Sequence, residues 1–572
     1  MRTSVTVAVA VAAAVGVLAG CGSSGSRGAG RSTATTAPPE VASSVRYDQN
    51  AALTMAVGSD PGQWNCDVAG VDRSDCLAVV DRIWPSVYRV DANGQPQLDR
   101  TFVESATQTA QSPQTIVYKI NPKAAWSDGT RITVDDFVYN WQAQSGSPAH
   151  RDVGGGAFSP AQQAGYAAIA SVTASPTDPG LVTVVFAHPY PDWQSLFGSG
   201  DPLVPAQVAQ RIGYDAGFTD PVADVISAGP YQVQSYTRGQ AITLVRNPRY
   251  WGVAANLASV TFRFVSAPVQ LPPGLKAGEI GAATLTPTPG SLPDADVYSA
   301  VKALKGVTVD TRPTTTFEQL DLDQATPALA DPNLRHAIML AVPRSAMLKR
   351  ATAATDASSG LLDNRYFVPG SSGYQDNSGG AYDSVDLTQA RQILTRAGYA
   401  STPGSALTKD GRPVTLRITS MAGVGDLQAE EQIVITALDQ LGITVSEADS
   451  PDLAGTLAQG GFDLAIDTGR VGPFLSQNDA TYQTGGAANV DHATDPGIDA
   501  LVAQADTTYD PGRRQAIANQ IDRALWADYR SLPLFQLPAV LASQSKYLNV
   551  RASSGDEGPT FDLDQWGVAV SS

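Results

Sequence analysis

The sequence contains few cysteines and histidines. Among 572 residues, 3 are cysteines and 4 are histidines. No histidine belongs to an HExxH or HxxxH pattern, the spacing that places two metal ligands on one face of a helix. The sequence therefore predicts no metal site and no cofactor.

Catalytic motifs are missing as well. The sequence has no GxSxG nucleophile elbow, no GK[ST] phosphate loop and no GxGxxG turn that opens a helix. The pattern SxxK occurs at Ser299 and at Ser543, but without the SDN and KTG companions found in penicillin-binding enzymes. We therefore expect a protein that is not an enzyme.

Positive charge is scarce. Lys and Arg number 38 against 55 Asp and Glu, which gives a net charge of -17 and a pI near 4.6. A surface that binds phosphates needs clustered basic side chains, so this balance argues against nucleic acid as a partner. The abundance of Ala, Gly and Val, with Arg preferred to Lys, is typical of a GC-rich genome such as that of an actinobacterium.

Long hydrophobic runs are limited to one short segment. The apolar stretch 5–19 follows Arg2 and is shorter than the roughly 18–20 residues of a transmembrane helix. It ends in Leu18-Ala19-Gly20-Cys21, the layout of a bacterial lipoprotein signal. We therefore predict a signal peptide at 1–20 and acyl lipid such as palmitate on Cys21, which places the protein on the extracytoplasmic face of the cell membrane. An ordinary secretory signal is the alternative.

The next segment and the two other cysteines also have a clear interpretation. Residues 21–44 are rich in Ser, Gly, Thr, Ala and Pro, a composition that cannot bury enough apolar surface to fold, so we predict a disordered tether. Cys66 and Cys76 form an even pair ten residues apart. Outside the cytoplasm such a pair favours a disulfide, and two buried thiols are the alternative.

The remaining chain is too long for a single hydrophobic core, and its apolar periodicities mix those of helices and strands. Capping signals predict helices that begin after Thr133, Asp331, Asp386 and Asp510.

Two regions differ in their pattern. Residues 414–467 follow the order strand, helix, strand, strand, which indicates a lobe of the βαβ type. Residues 54–311 contain shorter strands, at 115–120, 182–186, 242–246 and 260–264, and indicate a lobe richer in β-structure.

A series of short motifs runs along most of the chain in a fixed order. The first is Trp126-Ser127-Asp128-Gly129-Thr130, a strand and a tight turn that lead into the helix capped by Thr133. The others are Ser227-Ala228-Gly229-Pro230-Tyr231, Arg246-Asn247-Pro248-Arg249-Tyr250-Trp251, the helix starting at Asp331-Pro332, the run 389–399, Gln440-Leu441-Gly442-Ile443 with Phe462-Asp463, and the closing stretch 513–533. In this order and spacing they resemble the family 5 extracellular solute-binding proteins, the oligopeptide, dipeptide and nickel receptors of ABC importers.

The resemblance implies an α/β, two-lobed fold like that of periplasmic binding proteins of type II, in the large family 5 form, with a ligand cleft between the lobes. By the family pattern, lobe I comprises residues 45–312 and the returning segment 536–572, and lobe II comprises 313–535. The strands 314–317 and 533–538 would cross between the lobes. Ligand would stabilise the closed form, which a membrane permease recognises, and we expect a monomer.

The sequence departs from the peptide receptors of the family at one informative place. Those receptors carry "GWxxDxxDP" shortly after their "FD" strand, with an aspartate that pairs with the ligand's amino group. Here the stretch from Asp467 to Phe474 lacks the Trp and the second Asp and has Arg470 instead. A free amino terminus is therefore disfavoured unless Asp467 or Asp479 substitutes. We expect Arg470 to bind an anionic or hydroxyl-rich group; a structural ion pair is the alternative.

Further ligand-contacting positions follow from the resemblance. Trp64 and Asn65 stand where an early loop of the family faces the cleft, so we expect a ligand platform there, with a packed core tryptophan as the alternative. Asn489 matches an Asn of the family pattern. Together with Asp467, Arg470 and Phe474 these residues form the predicted ligand site.

Two functions are consistent with this sequence. The first is a lipid-anchored substrate-binding protein of an ABC importer that captures a peptide-like or other small polar solute. The second is a related lipoprotein that regulates or chaperones the synthesis of cell-envelope lipid or glycolipid without transport.

Overall fold

The structure is a computed structural model that describes residues 45–570, apart from 72, 92–94, 162, 164, 199, 287–290, 354–358, 402–403 and 556–557. The predicted signal peptide 1–20, the predicted lipid site Cys21 and the predicted tether 21–44 lie outside the described residues. Within the part of the chain that is described, no helix combines the length and the apolar character needed to cross a bilayer.

Strands form where β-branched and aromatic residues alternate with polar ones. The strand Gln114–Ile120, for example, buries every second side chain. In chain order the strands are β1 (Ala52–Val57), β2 (Tyr88–Val90), β3 (Pro96–Leu98), β4 (Val103–Gln111), β5 (Gln114–Ile120), β6 (Ile169–Ala174), β7 (Leu181–Phe186), β8 (Tyr231–Thr237), β9 (Ala241–Arg246), β10 (Ser259–Phe264), β11 (Ala282–Thr284), β12 (Val307–Leu322), β13 (Tyr399–Ala400), β14 (Thr408–Lys409), β15 (Arg412–Pro413), β16 (Thr415–Thr419), β17 (Thr444–Glu447), β18 (Leu464–Arg470), β19 (Ser531–Gln544), β20 (Tyr547–Leu548) and β21 (Gly567–Val568).

Several helices begin at an aspartate or threonine whose side chain accepts backbone N–H bonds, and some carry proline in their first turn. The helices are α1 (Arg73–Val80), α2 (Val134–Gln144), α3 (Ala206–Ile212), α4 (Pro221–Asp224), α5 (Leu271–Ala277), α6 (Ala295–Lys302), α7 (Pro332–Ala341), α8 (Arg344–Thr352), α9 (Leu387–Arg396), α10 (Gly425–Asp439), α11 (Leu453–Ala458), α12 (Asp479–Tyr482), α13 (Pro496–Asp506) and α14 (Pro511–Asp528).

A long mixed sheet organises the described chain. Its strands follow the order β17-β16-β18-β12-β19-β11-β1-β10-β9-β8, and a separate sheet has the order β4-β5-β7-β6. At the centre of the long sheet, β12 and β19 run antiparallel over most of their length, with a register shift between Pro313 and Phe317. The stretches 314–317 and 533–538, predicted to cross between lobes, lie on these two strands.

The apolar side chains are buried in separate clusters on either side of this central pair of strands. One large cluster contains residues from 51 to 262 together with members of the C-terminal segment, such as Trp566. Another contains residues from 320 to 537, and the helices α13 and α14 form a smaller cluster beside it. The chain therefore builds two main cores and connects them through β12 and β19.

Most of the elements predicted from the sequence are present. The helices expected after Thr133, Asp331, Asp386 and Asp510 begin at those caps, and Thr133 forms a complete capping box with Asp136. The four short strands predicted in 54–311 correspond to β5, β7, β9 and β10, each longer by one residue at its start.

The prediction for 414–467 was incomplete. Strands β17 and β18 both pair in parallel with β16, as a βαβ-type arrangement requires. A second helix, α11, connects β17 to β18 and was not predicted. Its six residues are too few to display a helical apolar period, although Asp452 caps its first turn through the N–H of Gly455.

Candidate ligand-binding cleft

A cavity of about 740 Å³ is lined by residues from two distant parts of the chain. Its volume is within the range of pockets that hold small molecules. The first part, residues 73–201, belongs to elements packed around the first core; the second part, residues 319–531, belongs to β12, β18, α12 and the beginning of β19. Charged side chains of both signs line it, namely Arg73, Asp201, Asp321, Asp467, Arg470, Asp479 and Asp491.

Arg73 is held in place on one wall of the cavity. Its guanidinium forms ion pairs of 2.7 Å with both Asp67 and Asp201. It is the first residue of α1, and the disulfide between Cys66 and Cys76 ties this helix to the preceding loop. The disulfide thus braces the segment that presents Arg73.

Arg470 is the last residue of β18 and lies opposite Thr316 of β12. It lines the 740 Å³ cavity and also a second cavity of about 200 Å³, which hydroxyl groups of Ser74, Thr284 and neighbouring residues surround. Part of its surface is exposed. Desolvation within the protein and the nearby Arg73 guanidinium lower the pKa of Arg470.

Carboxyl groups form the floor of the cavity on the β12 side. Asp321 and Asp491 are 1% and 5% exposed, and their side chains contact each other. Burial, followed by the neighbouring Asp491 and Asp467 charges, raises the pKa of Asp321 well above its ordinary value. Burial also raises the pKa of Asp491, to about 7, and that of Asp467. These groups therefore favour either a bound proton or a bound cation.

Direct contacts join the two parts of the chain at the rim of the cavity. The carboxylate of Asp192 forms a two-pronged ion pair with Arg514, in which Nη2 and Oδ2 are 2.8 Å apart, and both side chains are at least nine-tenths buried. The backbone N–H of Ser476 donates to the same Asp192 oxygen at 2.9 Å, and the Ser476 hydroxyl donates to that of Tyr190 at 3.0 Å. We call Asp192, Arg514, Ser476 and Tyr190 the rim clasp.

Only part of the predicted ligand site lines the cavity. Asp467 and Arg470 do so. Trp64 is 1% exposed, packs in the first core and meets Tyr236 edge to face. Asn65 is buried and donates to the carbonyl of Tyr214.

Phe474 and Asn489 also lie outside the residues that line the cavity. Phe474 is 5% exposed and precedes the short turn that carries Ser476. The side-chain amide of Asn489 donates to the carbonyls of Gln483 and Ala493, so it holds its own loop together. Trp64, Asn65 and Asn489 therefore have structural partners that explain their burial.

Sequence reasoning did not identify Arg73, Asp321 or Asp491 as cleft residues. Asp321 gave one signal, because it stands between Leu320 and Leu322 at the buried end of β12, where an acidic residue needs a partner. Arg73 and Asp491 lie in polar segments and gave none. Among the described residues, no group of three or more His, Cys, Asp or Glu is arranged to hold a metal ion.

A cavity of this size, lined by two separately packed parts of an α/β fold and closed by contacts between them, defines a binding protein of the two-lobed kind. The model of bacterial extracellular solute-binding proteins, family 5, matches residues 101–492. The oligopeptide-binding protein OppA of Mycobacterium tuberculosis is 30% identical over 509 residues, which cover 88% of this chain and 82% of OppA.

Two further comparisons bear on fold and function. The periplasmic EDTA-binding protein EppA superimposes with a TM-score of 0.84 at 25% identity, covering 94% of this chain and 100% of EppA. The probable monoacyl phosphatidylinositol tetramannoside-binding protein LpqW of M. tuberculosis is 30% identical over 246 residues, or 42% of this chain and 35% of LpqW.

The chain belongs to family 5 of the bacterial extracellular solute-binding proteins. This membership confirms the predicted two-lobed α/β fold with an interlobe cleft and the predicted role as the substrate-binding protein of an ABC importer. The alternative role in envelope lipid or glycolipid synthesis is not favoured, because the match to LpqW covers less than half of the chain and the match to OppA covers most of it.

Proposed function

We propose that this protein is a lipid-anchored receptor that captures a peptide-like or other small polar solute in the 740 Å³ cavity, delivers it to an ABC permease and transforms no substrate. The main support is that charged side chains from both parts of the chain line one cavity of ligand size. A ligand there would touch both parts only when they are together, so binding would favour the closed form.

The proposed lobes are those predicted from the sequence, with 45–312 and 536–572 in lobe I and 313–535 in lobe II. The separation of the two main cores supports this division. Because β12 and β19 pass from one core to the other, a small change of backbone angles near the register shift at Pro313 would open or close the cleft.

Arg470 and Arg73 are proposed to bind an anionic or hydroxyl-rich group of the solute. Arg470 stands at the junction of the main cavity and the smaller hydroxyl-lined cavity, where a carboxylate or hydroxyl could be held by its planar donors. The names of two relatives agree with such chemistry, since an oligopeptide ends in a carboxylate and EDTA is a polyanion.

The Cys21 lipid would hold the receptor at the membrane and raise its concentration near the permease. Changing Cys21 to Ser should move the protein from the membrane fraction to the soluble fraction of fractionated cells, as detected by immunoblot. The released protein should sediment as a monomer. Retention of the variant in washed membranes would refute the anchor.

The cleft function is tested by identifying the small molecules that the purified protein releases on denaturation, using mass spectrometry. Arg470→Ala should reduce the retained solute strongly while the melting temperature of the emptied protein stays nearly unchanged. Arg396→Ala, an exposed arginine on α9, is the matched control and should change neither quantity. A large loss of stability in emptied Arg470→Ala would instead assign Arg470 to the scaffold.

A further inference from the structure

One arginine lies among three carboxyl groups at the rim of the cavity. Asp192 belongs to the first part of the chain and forms the two-pronged ion pair with Arg514, in which Nη2 and Oδ2 are 2.8 Å apart. Nε of Arg514 donates to the carbonyl of Ala505 at 3.1 Å, next to Asp506 at the end of α13. Asp479 is the first residue of α12 and lines the 740 Å³ cavity. Two carboxyl groups of the second part of the chain therefore lie close to the rim clasp.

The charges of this group do not balance while the rim clasp is formed. The carboxylates of Asp192, Asp506 and Asp479 all act on the Arg514 guanidinium. Arg514 forms its ion pair with Asp192, and within the described chain neither Asp479 nor Asp506 forms a second ion pair with it. Three carboxylates around one guanidinium carry a net charge of about -2, which is unfavourable where water is partly excluded. At least one of the three carboxyl groups therefore favours its protonated form.

The pKa values indicate which carboxyl groups bind the proton. Burial, followed by the charges of Asp506 and Asp192, raises the pKa of Asp479 to about 8. Burial also raises the pKa of Asp506, to about 6; the Arg514 charge opposes this rise and the Asp192 charge adds to it. In the closed form Asp479 therefore binds a proton at neutral pH, and Asp506 binds one at slightly acid pH.

Two tyrosines face these carboxyl groups and remain neutral. Tyr190, from the first part of the chain, belongs to the rim clasp and lies near Asp479. Tyr366, which packs in the core formed by α13 and α14, lies near both Asp479 and Asp506. Burial raises the pKa of both tyrosines above its ordinary value, so neither is ionised at neutral pH. Of the described groups that act on Asp479 and Asp506, Arg514 is the cation.

Opening of the cleft would change the partner of Arg514. Asp192 leaves with the first part of the chain, whereas Asp479 and Asp506 stay with Arg514 in the second part. The guanidinium is then released to these two carboxylates, and water reaches all of these side chains. Both changes favour the ionised form of Asp479, so its proton returns to the solvent.

We propose that the rim clasp is a proton-linked latch, in which closing of the empty cleft takes up a proton at Asp479. The proposal rests on the opening and closing of the cleft described above and not on the identity of the solute. Because the pKa of Asp479 is higher in the closed form, closure is favoured at low pH, and this advantage is lost as pH rises through about 8. Asp506 stays beside Asp479 in both forms, so part of the shift persists on opening, and we expect about half a proton per closing. The ratio of closed to open protein should then fall about tenfold from pH 6 to pH 8.

Hydrogen exchange at the amide of Ser476 tests the latch in the emptied protein. The quantity compared is the protection factor, the exchange rate of this amide in the unfolded chain divided by its rate in the folded protein, because this ratio removes the pH dependence of exchange itself. In the wild type the protection factor should fall about tenfold from pH 6 to pH 8. In Asp479→Asn, whose side chain is always neutral, it should stay near the pH 6 value, so that at pH 8 the variant is about tenfold better protected than the wild type. Asp439→Asn, an exposed aspartate at the end of α10, is the control and should follow the wild type.

A second variant keeps the test decisive if Asp479→Asn does not fold, which melting curves of the emptied proteins check. Asp506→Asn removes the charge that acts most strongly on Asp479. The fall in protection should therefore move to lower pH in this variant, and an unshifted fall would overturn the latch. Effects of pH on global stability that arise elsewhere, as at Glu430 and Glu431, are common to all variants and cancel when variants are compared.

The outcomes separate the latch from the capture of solute. A structural role of Asp479 would make Asp479→Asn less protected than the wild type at every pH, and this result would overturn the proposal. Equal pH dependence in the wild type and in Asp479→Asn, or none in the wild type, would overturn it as well. Because the assay contains no solute, these results leave the capture function to the mass-spectrometric test, and failure of that test leaves the pH response of Ser476 to decide the latch.

Discussion

Loss of the rim clasp should open the cleft. Changing Asp192 to Asn removes the charge that holds Arg514 and weakens the acceptor of the Ser476 N–H, whose bond is 2.9 Å long. Both members of the ion pair are at least nine-tenths buried in the closed form. When the two parts of the chain separate, water solvates both the Asp192 and the Arg514 side chains. The free energy by which this change disfavours closure is therefore smaller than the full cost of an unpaired buried charge.

The free energy that Asp192→Asn removes from the closed form can be estimated from the ion pair that this change breaks. Removing one partner of a buried, hydrogen-bonded charge pair costs about 2–5 kcal/mol, and we expect the lower end, about 2 kcal/mol, because the open form is solvated. This corresponds to a fall of about thirtyfold in the ratio of closed to open protein. Solute retention should weaken by up to the same factor, because the binding-competent fraction falls.

Hydrogen exchange measures this opening directly, since the amide of Ser476 is protected only while Asp192 lies against it. Peptides that contain Ser476 should exchange faster in Asp192→Asn and in Arg514→Gln, and the radius of gyration of the emptied protein in solution should increase. The double variant should add little to either single one, because both remove the same pair. Arg513→Gln, an exposed neighbour on α14, is the control. Unchanged exchange at Ser476 in both single variants would refute the clasp.

Two other regions give predictions of their own. Glu430 and Glu431 on α10 are buried, and desolvation raises the pKa of each to about 8, so the folded state binds more protons than the unfolded state between about pH 4.5 and 8. Stability to urea should therefore fall from pH 5 to pH 8 by on the order of 3 kcal/mol for each of the two glutamates. Glu431→Gln should reduce this slope by stabilising the protein at pH 8, and a variant less stable than wild type at pH 8 would contradict the reasoning. Replacing Cys66 and Cys76 by Ala should lower the free energy of unfolding by about 3 kcal/mol, the value for a closed loop of about ten residues. The same change should weaken solute retention, because the disulfide supports the helix that presents Arg73. Retention equal to that of the wild type would show that Arg73 does not need the disulfide.

Local signals in the sequence predicted local structure well. The caps at Thr133, Asp331, Asp386 and Asp510 determine where helices begin, because the side chain that accepts the free N–H groups is adjacent in sequence. The ordered motifs identified the family for the same reason, since each is a local pattern of neighbouring residues. Helix α11 was missed because six residues do not reveal a period.

Only part of the predicted ligand site lines the cavity. Asp467 and Arg470 line it because both are on β18, which was predicted as extended up to Asp467. Trp64 and Asn65 were placed by analogy of position in the chain, and their burial depends on Tyr236 and Tyr214, which are about 150 residues or more away in sequence. No pattern around residue 64 could indicate those contacts.

The sequence by itself determined most of the elements and the family, because capping, periodicity and motif order are properties of neighbouring residues. Tertiary structure alone decided which charges share the cleft. Asp321 and Asp491 are 170 positions apart and Asp192 and Arg514 are 322 apart, and tertiary packing brings each pair together. Burial there raises the pKa values of Asp321 and Asp491 and lets Asp192 and Arg514 join two parts of the chain, since the energy of a charge depends on the groups that surround it and not on its neighbours in sequence.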